Sequence, residues 1–132
     1  MNISLYDELF IELKQILKNT AQKPYIYKVP PKKKEFPLVV MYEIRNDNLT
    51  KTVDGIERLD EVGYEFQVYT YAPNPEESVK SAYSIINDID LYMHKKGFER
   101  VSVTSVPNID DSIYRIIARY NGTLFLNRNR II

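Results

Sequence analysis

The chain has no cysteine and no tryptophan, and a single histidine and four glycines among its 132 residues. Without cysteine there can be no disulfide, iron–sulfur cluster, cysteine zinc site or thiol nucleophile, which fits a reducing compartment. With one histidine, any imidazole dyad or metal site rests on His94 alone. Excess charge is also missing. Eighteen Lys and Arg offset eighteen Asp and Glu, so no global field draws the chain to nucleic acid or to an acidic membrane. No apolar run approaches membrane-spanning length. The start, Met1 to Glu8, has neither the basic region nor the apolar core of a secretory signal. The length predicts one domain with a single core. What the chain has in quantity is tyrosine, eleven of them, a residue suited to half-buried strands and to protein interfaces.

The clearest local signal is Tyr64 to Lys96. Tyr64, Phe66, Val68 and Thr70 alternate with Glu65, Gln67, Tyr69 and Tyr71, which predicts a strand with one packed face and one partly wet face. After the break Ala72 to Pro75, an amphipathic segment predicts the longest helix, Glu76 to Lys96. Asn74 is its N-cap, Pro75 its first residue, Glu77 holds the capping-box position, and Gly97 stops it. Val79, Ala82, Tyr83, Ile86, Ile89 and Met93 form the stripe expected to lie on the sheet. Ile86 is the position where a polar substitution should damage the fold most.

Before this unit, Ser4 caps a first helix that ends near Asn19, with Leu5, Leu9, Phe10, Leu13, Ile16 and Leu17 as its apolar stripe. Pro24 to Val29 reads as a short edge strand, and Pro30 to Glu35 as an irregular, lysine-bearing loop. Phe36 to Ile44 is an apolar run without alternation, expected to be an interior strand covered on both faces. Arg45 to Thr52 reads as polar loop. Val53 to Glu61 is ambiguous, and Gly55 argues for a turn or bulge leading back toward Tyr64, so that strands 36–44 and 61–71 pair antiparallel around a long mobile connection. After the helix, Phe98 to Thr104 and Ile113 to Tyr120 read as strands. Asn121-Gly122 is the strongest turn dipeptide in the chain. The expected architecture is α+β: a largely antiparallel sheet of about five strands with two helices packed on one face. Residues 1–122 form one domain, and 123–132 a C-terminal arm.

Motifs for chemistry are not evident. There is no phosphate loop, dinucleotide glycine pattern, nucleophile elbow or zinc-protease helix, which points away from an enzyme and gives no cofactor and no metal site. His94 reads as a surface or partly packed residue beside Lys95 and Lys96, whose charges disfavour a metal. Asp88 and Asp90 stand two apart on a helix and do not face each other, and Asp110-Asp111 sits in a turn where aspartates bond the backbone. Asp54-Gly55 with Glu57 lacks the ligand spacing of a calcium loop. Lys32-Lys33-Lys34 is open to three readings: a solvated loop, a contact to an acidic neighbouring subunit, or a nucleic-acid contact.

The order and lengths of these segments resemble the tail terminator, or tail completion, proteins of long-tailed phages and prophages. The resemblance rests on the N-terminal helix and on Phe36-Pro37-Leu38-Val39-Val40-Met41-Tyr42 and Val53-Asp54-Gly55. It continues through the Tyr64–Thr70 strand with its helix and ends on Ile113 to Gly122. It implies a non-catalytic structural protein that forms a hexameric ring on the head-proximal end of the tail tube, stops tube polymerisation and joins the head connector or neck. DNA would pass through the lumen without specific recognition. The partners implied are other copies of the chain, tail-tube protein and connector, in a virion tail assembled in the host cytoplasm, with no membrane. Candidate interface residues are Tyr69, Tyr71, Lys32, Lys33, Lys34, Asp54, Arg128, Arg130, Ile131 and Ile132. The alternatives are another neck or tail-tube component and a small nucleic-acid-binding module.

Overall fold

The computed structural model describes residues 4–51, 58–106, 113–125 and 130–131. Along the chain run α1 (Leu5–Lys18), β1 (Tyr25–Tyr27), β2 (Leu38–Lys51), β3 (Arg58–Tyr71), α2 (Pro75–Lys95), β4 (Glu99–Val106), β5 (Ile113–Phe125) and β6 (Arg130–Ile131). The strands form one sheet in the order β1-β2-β3-β5-β4, with β6 paired to the end of β5. Among the described residues only β1 with β2 is parallel; the other pairs are antiparallel. The fold is the expected α+β class, with both helices on one side of a mostly antiparallel sheet.

Local signals account for the helices. Ser4 Oγ accepts from the Asp7 N–H at 3.2 Å, and Leu9, Leu13 and Leu17, each one turn apart, are buried beneath α1. Asn74 Oδ1 accepts from the Glu76 N–H at 3.0 Å, with Pro75 first in α2. At the other end Gly97 has φ 96°. The Phe98 N–H reaches the Met93 carbonyl at 2.9 Å and the Gly97 N–H reaches His94 at 3.0 Å, the paired bonds of a Schellman cap. The buried stripe of α2 is Ser78, Ala82, Ile85, Ile86, Ile89, Tyr92 and Met93. The expected stripe is therefore corrected at two positions: Tyr83 is 45% exposed and Val79 lies at the rim, while Ile85 and Tyr92 go inside. Tyr92 is accepted there because its hydroxyl finds Glu12 of α1 at 2.7 Å.

The core lies between this helical layer and the sheet face carrying Val39, Met41, Tyr64, Phe66, Val68, Ile116, Ala118 and Tyr120. β2 is interior, as its unbroken apolar run implies, and Leu38 to Met41 are all buried.

Three expectations change. Arg45 onward is not a loop: β2 continues to Lys51 and pairs with β3 from Arg58, past a register shift between Glu43 and Arg45. Arg45 and Asn46 are exposed although paired to Gly63 and Val62, so pairing rather than burial holds the strand, and hydrophobic periodicity has nothing to report. Asn121-Gly122 is not a turn. It lies inside β5, opposite Gly63 and Val62. A Cβ on Gly122 would stand 2.6 Å from the Phe98 ring, so this glycine makes room for a buried aromatic. Finally, β5 runs on to Phe125, and Arg130–Ile131 return to pair with Phe125 and Leu124.

Candidate assembly surface

The second face of the sheet carries the residues that alternate out of the core. The β3–β5 register sets Glu65 opposite Arg119, Gln67 opposite Ile117, and Tyr69 opposite Arg115. Their side chains join into one network. Arg119 Nε donates to Glu65 Oε1 at 2.8 Å, and Gln67 Nε2 donates to Glu65 Oε2 at 2.8 Å. Gln67 Oε1 in turn accepts from the Tyr69 hydroxyl at 2.9 Å and from Arg115 Nη2 at 2.8 Å. Arg115 also lies over the Tyr69 ring, 5.3 Å from its centre. Burial raises the pKa of the adjacent Tyr42, and Tyr69 and Glu65 raise it further. The whole row is fixed before any partner arrives. One donor is left over: Arg115 Nε–H is buried with no hydrogen-bond partner among the described residues.

The lysine-bearing loop belongs to this face. A parallel β1–β2 pair needs a crossover, and residues 28–37 supply it. Lys34 Nζ sits 5.4 Å from the Tyr69 ring centre, and the Phe36 ring lies 6.2 Å from that of Tyr71. The crossover thus lies over β3 on the second face, where Leu38 and Val40 are fully buried.

The outer edges of the sheet are the second feature. Among the described residues, no strand pairs with the outer side of β4, nor with that of β2 beyond Val40. Natural edge strands are usually guarded by charge, proline or a bulge. β4 has a register shift between Arg100 and Ser102, with Val101 59% exposed. From there Val101-Ser102-Val103-Thr104-Ser105-Val106 contains neither charge nor proline.

Of the candidate interface residues, Lys34, Tyr69 and Tyr71 come together, with Lys32 and Lys33 exposed on the same crossover. Tyr71 is 54% exposed, but Tyr69 is engaged by Gln67, Lys34 and Arg115 and is not a free anchor. Arg130 and Ile131 form β6, on β5 and apart from this cluster. Asp54, Arg128 and Ile132 lie outside the described residues. Sequence reading missed Glu65, Gln67, Arg115 and Arg119 as a unit, and missed the β4 edge. The alternation of Arg115 with Arg119 was the available signal; their partners required the register. Among the described residues, no three His, Asp or Glu side chains gather as a metal site, and no helix is long and apolar enough to cross a membrane. No protein-family model matches the chain, and no curated protein matches it.

Proposed function

We propose that this chain is a ring-forming structural subunit of the tail-terminator type, which caps a tail tube by pairing with copies of itself and with tube protein. The observation that carries the reading is the uncharged β4 edge, Val101 to Val106, which offers a row of backbone donors and acceptors to another strand. A ring of identical subunits needs two different, complementary side surfaces on each copy. The β4 edge and the open part of the β2 edge lie on opposite sides of the sheet, as a head-to-tail contact requires. The rigid network on the second face suits an end surface, because its side chains are already ordered and lose little freedom on docking. The mode of action is capping by shape and hydrogen-bond complementarity.

Light scattering during size exclusion, at several concentrations and with or without the tail-tube protein, tests this. A closed species of about six chains, alone or with tube protein, is expected from the family resemblance and from ring closure. A monomer that never engages tube protein would sink the reading, and open-ended growth would instead mark a tube component.

A further inference from the structure

The chain is neutral overall, but its charge is not evenly distributed. Residues 14–34 hold seven lysines and no Asp or Glu, leaving eleven cations elsewhere against all eighteen carboxylates. Three of these lysines converge. Lys14 and Lys18 stand one turn apart on α1, about 6 Å along its axis. Lys23 sits at the corner between α1 and β1, with φ 47°. Together with Pro24, Tyr25, Ile26 and Tyr27 they line a cavity of about 370 Å³. Other cations find carboxylates: Lys28, in the same span, with Asp7, and beyond it Arg45 with Glu61, Lys96 with Glu12 and Arg119 with Glu65. Lys14, Lys18 and Lys23 are exposed and have no ion pair with a described residue. The negative end of α1, which would repel an anion here, is partly neutralised. The Gln15, Ile16 and Leu17 carbonyls accept from Asn19 Nδ2, the Asn19 N–H and the Thr20 hydroxyl respectively.

We propose that this groove binds the phosphate backbone of a single-stranded nucleic acid, without sequence preference. One feature favours that partner over an acidic protein. Tyr25, 47% exposed, and Tyr27 line the same groove, and aromatic rings beside lysines are what strand binders stack bases on. This surface is separate from the β4 edge and from the Tyr69 network.

The test is fluorescence anisotropy of a labelled oligothymidine with the full chain across a salt series. Binding should weaken linearly in log–log form. The triple variant Lys14→Gln/Lys18→Gln/Lys23→Gln should lose more than about tenfold in affinity and flatten the salt slope by about 2, the effect of three single-strand phosphate contacts. Tyr25→Ser should weaken binding without changing that slope. Circular dichroism confirms that the variants fold. No binding at low salt overturns the proposal. So does a triple variant that binds like the parent, or displacement by polyglutamate as effective as by unlabelled oligothymidine, which would assign the groove to an acidic protein. The readout is independent of whether the chain forms a ring.

Discussion

Tyr64, Tyr92 and Tyr120 share one arrangement. Each buries its ring and gives its hydroxyl to a carboxylate: Glu43 at 3.4 Å, Glu12 at 2.7 Å and Asp90 at 3.1 Å. Burial raises all three phenols well above the ordinary value of 10.0, and the neighbouring carboxylates add to the shift. A group whose folded pKa is raised stabilises the fold fully below its unfolded pKa and loses that contribution as pH rises toward the folded value. Stability to urea should therefore hold up to about pH 10, the unfolded tyrosine value, and then fall. Phenolate absorbance should appear for these three residues together with unfolding, not before it. Independent titration of all eleven tyrosines near pH 10 in a folded chain would contradict this. A second residue-scale expectation concerns Gly122. Its Cβ space is filled by the buried Phe98 ring, so Gly122→Ala should cost about 1–3 kcal/mol, the range for overpacking. In a double-mutant cycle by urea unfolding, most of that cost should vanish in the Phe98→Ala background.

At the scale of elements, α2 holds the sheet together. Ile86 lies at the centre of its buried stripe, 1% exposed. Ile86→Asn removes a buried aliphatic group and leaves an amide to be satisfied, so it should cost roughly 2–5 kcal/mol. A loss below about 0.5 kcal/mol in urea unfolding, within the usual range of surface changes, would show that the stripe is not the core. The β2–β3 ladder is different in kind. From Arg45 to Lys51 it is held by strand pairing to residues 58–63, beyond the register shift at Ile44. Gly63 sits opposite that shift, and a Cβ there would stand only 2.9 Å from Asn121 Oδ1. Close three-strand packing at the bulge thus explains one glycine, and Phe98 explains the other.

At the scale of the whole molecule, the sheet has one face sealed by helices and another carrying an ordered polar network under a lysine-bearing crossover. Among the described residues, the outer side of β4 and that of β2 beyond Val40 have no such cover. If β4 joins copies of the chain, a single edge lysine should disrupt it, because charge at an edge is how proteins prevent strand addition. Thr104 is exposed on this edge. Thr104→Lys should abolish the ring or the tube-dependent species in light scattering while leaving the urea midpoint almost unchanged. A variant that assembles normally would move the contact to another surface.

The sequence alone determined the parts that depend on neighbours within a few positions. Asn74-Pro75 starts a helix and Gly97 ends it because capping and φ are local matters. Tyr64 to Tyr71 shows its two faces because a strand alternates at every residue. The tertiary structure decided the rest. Asn121-Gly122 became strand because it pairs with Gly63 and Val62 of β3, while Phe98, far away along the chain, fills the space a side chain at 122 would need. Tyr83 gave way to Tyr92 on the inner stripe because Glu12, on the other helix, meets the buried hydroxyl. The network from Arg119 through Glu65 and Gln67 to Tyr69 and Arg115 exists because β3 and β5 pair in one register. Composition and periodicity record what each residue prefers locally; they do not record which distant residue will stand opposite it.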